Sequence, residues 1–332
     1  MTPPLVLQTA WLGDVVLTTP LLTALADAHG PVDVVTTPEG APLLATHPAV
    51  RDVLVFDKRG ADRGARGLLR VAARLRVRRY PVAYLAQGSA RSALLARVAR
   101  IPRQVALRGA PGSRLCSDRR VPVGAHEAER LRALAGGSGP APLTLGITPD
   151  DYAAADAALA AAGITSPFVA LAPGSARPTK RWPFFGELAR SLDGEVAVAV
   201  VGAKDDRDLV RSADDRPAHQ PADLTGLPVR VAAAVLARAD AAVTNDSLAL
   251  HLTQVVGTPV VALFGPTHPL LGFGPRGPRD LALGRDLPCR PCSTHGDRHC
   301  PLGHHACLRT LDVATVCAAV RQVVRSQEVA CG

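Results

Sequence analysis

Two polar segments in the second half of the chain carry side chains suited to binding a phosphate. Asn245-Asp246-Ser247 separates an apolar strand pattern from a helical pattern, which predicts a helix N-terminus with unpaired backbone N–H groups. Lys180 follows the loop Pro173-Gly174-Ser175 and is one of only three lysines among 38 basic residues. A compact ammonium beside a Gly/Ser loop suits a diphosphate, and a surface lysine before a helix is the alternative.

A third candidate is a carboxylate near the N-terminus of the chain. Asp14 stands between the loop Trp11-Leu12-Gly13 and a helical pattern from Val15 to Ala28. A carboxylate in this position could act as a general base, or it could only cap the helix. The residues alone leave both interpretations open, as they do for Asp246 as a helix cap and His251 as an ordinary core histidine.

Four of the seven cysteines lie in one stretch, Leu287 to Leu311, which is rich in Gly, Pro and His. Cys289 and Cys292 form a C-x₂-C pair, and Cys300 and Cys307 follow. Four thiolates are a complete tetrahedral set, so the cluster predicts a closed, structural Zn²⁺ or iron site. Reduced thiols without metal are the alternative, and one thiolate could be replaced by His295, His299, His304 or His305.

The basic charge is concentrated in the first half of the chain. Residues 51–132 hold nineteen arginines and Lys58 against six acids, a net charge of +14, whereas the whole chain carries +9. Arg74, Arg78 and Arg79 lie in an amphipathic helical pattern there. This asymmetry predicts an anionic partner such as a phosphorylated glycolipid or a membrane surface, with a solvated helix face as the alternative.

The 332 residues indicate two α/β domains in which strand and helix patterns alternate. The predicted domains are 1–148 and 149–312, with the Cys-rich loop 287–311 in the second and a C-terminal helix at about 313–328 that packs back on the first. No apolar run is long enough to span a bilayer, and the N-terminus lacks a signal pattern, which together predict a cytoplasmic protein. Strands are expected at Pro4–Ala10, Val32–Thr36, Val53–Phe56, Val82–Ala86, Phe168–Ala172, Glu195–Gly202, Asp240–Thr244 and Pro259–Phe264.

Three motifs in register over most of the chain resemble the ADP-heptose:lipopolysaccharide heptosyltransferases. They are Leu12-Gly13-Asp14 with the following residues to Pro20, Ala172 to Ser175 with Lys180-Arg181-Trp182-Pro183, and Thr244 to Ser247 with His251 and Phe264 to Thr267. The resemblance implies a GT-B fold, in which two Rossmann-like domains face one cleft. It further implies an inverting transfer of heptose from ADP-heptose to an anionic glycolipid acceptor, with peripheral contact with the inner membrane.

The resemblance also assigns roles to residues. Asp14 would be the general base and Lys180 the diphosphate clamp, and no metal cofactor would be required for transfer. Gly13, Arg74, Arg78 and Arg79 would lie on the acceptor side. The donor side would comprise Gly174, Ser175, Lys180, Asn245, Asp246, Ser247, His251, Gly265, Pro266 and Thr267. Some heptosyltransferases that modify autotransporter proteins hold iron on four cysteines, which the cluster at Cys289 resembles.

The chain departs from the family pattern at two places. Leu248 stands where relatives usually have a glycine, which would crowd a close phosphate. Lys204, Asp205 and Asp206 occupy the region where some relatives place an acidic residue near the ribose. Neither departure identifies the donor sugar.

Other functions agree with parts of the sequence. A heptosyltransferase acting on a protein or another glycan would share all the motifs, and a GT-B nucleotide-sugar epimerase would share the phosphate contacts without needing a basic acceptor surface. A metal-stabilised nucleic-acid-binding protein would use the cysteines and arginines, but the strand and helix alternation argues against it and no nucleic acid is expected as a partner.

Overall fold

The computed structural model describes residues 2–164, 167–210 and 220–331. It divides into two compact units, Met1–Gly146 and Ile147–Gly332. The unit boundary lies a few residues beyond the Gly/Pro-rich segment 136–142 that favours a linker by composition. Each unit has its own sheet and its own hydrophobic core.

The first unit is a six-stranded parallel sheet with strand order β3-β2-β1-β4-β5-β6. Its elements are β1 (Leu5–Leu7), α1 (Leu12–Leu17), α2 (Thr19–His29), β2 (Val32–Thr36), α3 (Ala41–Leu44), β3 (Val50–Val55), α4 (Gly64–Val77), β4 (Val82–Leu85), α5 (Ala90–Val98), β5 (Arg103–Leu107), β6 (Asp118–Arg120) and α6 (Glu127–Arg132). Buried apolar residues of α4, among them Leu68, Val71 and Leu75, recur at helical spacing and pack on the sheet together with α5.

The second unit repeats this arrangement with strand order β12-β11-β10-β7-β8-β9, again with parallel pairs. Its elements are α7 (Pro149–Ala161), β7 (Phe168–Ala172), α8 (Phe185–Ser191), β8 (Ala197–Gly202), β9 (Ala222–Thr225), α9 (Val229–Arg238), β10 (Ala241–Asn245), α10 (Leu248–Val256), β11 (Val260–Leu263), β12 (Leu281–Leu283), α11 (Ala306–Arg309) and α12 (Val313–Cys331). All four residues of β11 and all five of β7 and β10 are buried, as strands covered on both faces should be.

The topology of each sheet points to one place for a ligand. In open parallel sheets, ligands bind outside the carboxyl ends of the strands where the strand order reverses. That point lies between β1 and β4 in the first unit and between β7 and β10 in the second. Asp14 follows β1, Lys180 follows β7 and Asp246 follows β10, so each sequence motif lies at the switch point of its own sheet.

One expectation about the helices needs correction, and a second is only partly addressed. The N-terminal helix is interrupted at Thr18, and α2 restarts with Pro20 in its first turn, where a proline costs no helical hydrogen bond. The C-terminal helix α12 spans Val313–Cys331, and its contact with the first unit stays a prediction. Its buried residues Val316, Val320 and Val323 belong to the core of the second unit, because their helical spacing forms an apolar stripe that covers that sheet.

Candidate active site

Lys180 ends a short 3₁₀ turn after β7, and its ammonium contacts the carboxylate that follows β10. The distance from Lys180 Nζ to Asp246 Oδ2 is 2.7 Å, and the two side chains are only 13% and 7% exposed. The hydroxyl of Thr267, which follows β11, donates to the same Asp246 oxygen at 2.7 Å. Three loops that are distant in sequence therefore meet at Asp246, at the carboxyl edge of the second sheet.

The N-terminus of α10 lies directly beside this group. Ser247 is the N-cap and makes no side-chain cap bond, and Leu248 is the first helical residue. The side chain of Leu248 is half-buried, and its backbone N–H remains one of the first-turn donors that suit an anion. His251 is buried one turn further along the helix.

The buried side chain of Asn245 connects the end of β10 to the segment that follows β7. Its amide Nδ2 donates to the Pro173 carbonyl at 2.7 Å, and its Oδ1 accepts from the Trp182 backbone N–H at 3.0 Å. Both ends of this buried amide are engaged with the segment that carries Gly174, Ser175 and Lys180. Asn245 therefore holds that segment in place, and the donor contact that the resemblance implies for it stays a prediction.

Gly174 and Ser175 form the loop after β7. The carboxylate of Asp206 accepts from the Ala203 N–H at 2.8 Å and lies against the Cα of Gly174, which leaves no room for a Cβ there. A larger residue at Gly174 would therefore have to displace the Asp206 carboxylate.

The Cys-rich loop braces both donor-side loops. The Thr179 hydroxyl donates to the Asp297 carbonyl at 2.6 Å, and its backbone carbonyl contacts His305 Nε2 at 2.6 Å. Gly296 has φ +77°, and a Cβ built on it would lie 2.7 Å from Lys180 Cδ, so glycine is required where the stem of Lys180 packs.

Arg290 makes the second part of this brace. Its guanidinium donates to the carbonyls of Gly265 at 2.5 Å, Phe264 at 2.9 Å and Thr267 at 3.0 Å. The Pro266 carbonyl accepts from the Cys292 N–H at 3.1 Å. These bonds from the Cys-rich loop hold Gly265, Pro266 and Thr267 in place. Thr267 in turn holds Asp246 through its hydroxyl group.

The described residues do not support the metal site predicted from the sequence at the cysteine cluster. All four cysteines and three histidines line one cavity of about 20 Å³: Cys289, Cys292, Cys300, Cys307, His299, His304 and His305. Yet among the described residues no three His, Cys, Asp or Glu side chains form a group that could hold a metal ion. Cys307 lies in α11 and packs into the apolar core, where burial raises the pKa of its thiol.

Differences in burial give an expected order of thiol reactivity. Cys292 is exposed, whereas Cys307 and Cys317 are buried. We expect iodoacetamide to modify Cys292 well before the other two in native protein, as followed by peptide mass mapping. The opposite result would be that Cys289, Cys292, Cys300 and Cys307 all resist iodoacetamide until a chelator is added. The four cysteines would then be metal ligands after all.

In the first unit, Asp14 lies in the first turn of α1 after Gly13. Its Oδ2 accepts from the Trp11 backbone N–H at 3.2 Å, and its carbonyl accepts from the side-chain amide of Gln8 at 3.2 Å. The carboxylate is only half-buried. It therefore serves the helix start with one oxygen and is accessible at the sheet edge.

A lysine that the motifs did not single out lies at the same switch point. Lys58 follows β3, and its Nζ donates to the Thr9 carbonyl at 2.5 Å. The Thr9 hydroxyl in turn donates to Gln87 after β4 at 2.5 Å. Burial, with the neighbouring charges of Arg59 and Arg91, lowers the pKa of Lys58. Its rarity in this arginine-rich chain was the one sequence signal that could have identified it.

Glu127, at the start of α6, is a second carboxyl group near Asp14. Burial raises its pKa, Arg130 opposes that shift, and the negative charge of Asp14 adds to it. No motif surrounds Glu127 in the sequence, so the sequence analysis did not identify it.

The three arginines predicted to lie on the acceptor side are in the first unit, at the C-terminal end of α4. Arg78 donates to Asp52 at 2.5 Å and to the buried Asp33 at 3.2 Å, both near the amino ends of their strands. Arg79 follows it, and Arg74 is exposed one turn earlier on α4. Helices in such sheets run opposite to the strands. These arginines therefore lie at the amino ends of the strands, whereas Asp14 lies at the carboxyl ends.

Comparison with known proteins agrees with the motifs. The family model described as glycosyltransferase family 9 (heptosyltransferase) matches residues 68–302. Lipopolysaccharide heptosyltransferase 1 of Pseudomonas aeruginosa is 32% identical over 311 residues, which cover 87% of this chain and 85% of that protein.

Solved structures match over nearly the whole chain. The E. coli ADP-heptose lipopolysaccharide heptosyltransferase II superposes with a TM-score of 0.77 at 24% identity, covering 98% of this chain and 99% of that one. E. coli heptosyltransferase WaaC with ADP-2-deoxy-2-fluoro heptose gives a TM-score of 0.69 at 23% identity, covering 96% and 99%. Together with the two parallel sheets, these superpositions confirm the GT-B fold.

Proposed function

Because this chain belongs to glycosyltransferase family 9, the heptosyltransferases, we propose that it transfers a heptose from ADP-heptose to an anionic glycan acceptor, the inner core of lipopolysaccharide. The observation that carries this proposal is the convergence of Lys180, Asp246 and Thr267 beside the N-terminus of α10. A cation and backbone donors at a sheet switch point are the chemistry that a nucleoside diphosphate requires.

In the proposed reaction, the acceptor oxygen forms a bond to the anomeric carbon as the bond from that carbon to the β-phosphate oxygen breaks. The acceptor proton passes to the Asp14 carboxylate, which is the base. Lys180 and the first-turn N–H groups of α10 stabilise the charge that develops on the departing ADP. This arrangement supplies positive charge from the protein, so we propose that transfer requires no cofactor.

We propose that Lys58 binds the anionic group of the acceptor, because its ammonium lies at the carboxyl ends of the strands, as Asp14 does. Lys58→Met keeps the side-chain stem and removes the charge. We expect it to raise the acceptor KM about tenfold or more, the scale of one charge-assisted contact, with ADP affinity unchanged. Initial rates against acceptor concentration and calorimetry with ADP would measure this. If Arg74→Gln and Arg79→Gln raised the KM while Lys58→Met did not, the acceptor would bind at the opposite edge.

The deciding experiment measures ADP release from ADP-heptose with and without a truncated lipopolysaccharide acceptor. Release that depends on the acceptor supports the transferase. Conversion of the donor without any acceptor would identify an epimerase. Transfer only to a protein or another glycan would keep the reaction and change the acceptor. A nucleic-acid-binding protein would show none of these reactions.

We further propose a cytoplasmic enzyme in peripheral contact with the inner membrane. Six of the seven cysteines are free thiols in the structure, which fits a reducing compartment: Cys116, Cys289, Cys292, Cys300, Cys307 and Cys317. Among the residues that the structure describes, no helix combines the length and apolar character needed to cross a bilayer.

A further inference from the structure

The outer surface of α4 and α5 has an unusual composition. Between Asp62 and Asp118 the chain contains thirteen arginines and not one Asp or Glu. Both helices lie within this acid-free stretch and pack on the same core, side by side. Arg76 of α4 donates to the Val98 carbonyl at the end of α5 at 2.6 Å, which joins the two helices at one end.

Some of these arginines have structural partners, and others do not. Arg70 pairs with Asp62 at 3.1 Å, and Arg78 pairs with Asp52 and Asp33. Among the described residues, no acidic group forms an ion pair with Arg66, Arg74 or Arg97, and all three are exposed. Their charges are therefore available to a partner.

Apolar side chains are exposed between these arginines. Leu69 and Val77 of α4 are 56% and 82% exposed, and Leu94 of α5 is 46% exposed. On α4, Arg66, Leu69, Arg70 and Val77 fall on one outward face, because their spacing follows the helical repeat. Exposed aliphatic side chains surrounded by arginines form a surface that can insert shallowly into lipid while its charges meet head groups.

We propose that this α4–α5 face, defined by Arg66, Leu69, Arg74, Val77, Leu94 and Arg97, docks on an anionic lipid bilayer. Charge complementarity favours this partner, since the two helices present no negative side chain to a negatively charged membrane. Nucleic acid fits less well, because single-strand binding uses aromatic stacking and this face exposes aliphatic side chains. The proposal names the surface for the peripheral membrane contact proposed above, and it does not depend on sugar transfer.

Cosedimentation of the full chain with vesicles, without donor or acceptor, tests the proposal. We expect binding to vesicles of phosphatidylglycerol and phosphatidylcholine that falls with added salt, and little binding to phosphatidylcholine alone. The triple variant Arg66→Gln, Arg74→Gln, Arg97→Gln should lower the partition coefficient at least tenfold, since each arginine near an anionic surface contributes about fivefold.

Two further variants make the test specific. Arg190→Gln, Arg309→Gln and Arg325→Gln remove the same charge from exposed positions in the second unit, and this variant should bind like the wild type. Leu69→Ser, Val77→Ser and Leu94→Ser should also weaken vesicle binding, with thermal melts confirming that these surface variants fold. Equal loss in both arginine variants would overturn the proposal. So would RNA binding that depends on the α4–α5 arginines and is indifferent to the three serine substitutions.

Discussion

Asp14→Asn is expected to lower turnover by about 10² or more while leaving ADP affinity within about twofold of wild type. The amide retains an oxygen that can accept from the Trp11 N–H, as Asp14 Oδ2 does now at 3.2 Å. The start of α1 should therefore persist, and the lost function is proton acceptance from the acceptor hydroxyl. Acceptor-dependent ADP release gives the turnover, and calorimetry gives the ADP affinity.

Asp27→Asn on α2 is a matched control, because it removes one exposed carboxylate from the helix that follows α1. Its turnover should equal that of wild type. If Asp14→Asn kept near-normal turnover but lowered the melting temperature, Asp14 would be a helix cap and the base would have to be sought elsewhere, with Glu127 the next carboxyl group to test.

Lys180→Ala is expected to weaken ADP and donor binding together, by about 1.5 to 3 kcal/mol if the ammonium makes a charge-assisted bond to phosphate. The variant also leaves the buried Asp246 carboxylate without its cation, facing the same anion. Calorimetry with ADP measures the loss, and Arg190→Ala, an exposed cation on α8, is the control that should bind ADP normally.

The Lys180–Asp246 contact allows a sharper test by a double variant. In Lys180→Ala, adding Asp246→Asn removes the uncompensated carboxylate, so the double variant should bind ADP more tightly than Lys180→Ala alone. Additive losses would mean that the 2.7 Å pair has no influence on the phosphate site. Unchanged ADP affinity in Lys180→Ala would remove the lysine from that site altogether.

Most central strands of the two sheets, though not β5, could be predicted from sequence because they are apolar and buried on both faces. The apolar runs at β7, β10 and β11 allow few other interpretations. Two of the edge strands, β6 and β9, could not be predicted. Asp118–Arg120 and Ala222–Thr225 are short and polar, and they are strands only because a neighbouring strand offers them hydrogen bonds.

The candidate site shows the same division. Gly/Ser loops and helix starts are local signals, which is why Lys180 and Asp246 stood out. Their contact with Thr267 depends on how β7, β10 and β11 align, and no local pattern encodes that alignment. The sequence showed that α4 has a basic face. It did not show the direction in which α4 runs, so the contact of Arg78 with Asp33 near the amino ends of the strands could not be predicted.

The brace between the Cys-rich loop and the donor loops has a thermodynamic consequence. Thr179 and Arg290 tie the loop to the segments that hold Lys180 and Thr267. If the ordered state of the loop strengthens nucleotide binding, then nucleotide binding must stabilise the ordered loop by the same free energy. We therefore expect ADP to slow hydrogen exchange in residues 287–311, even though none of those residues has to touch the ligand.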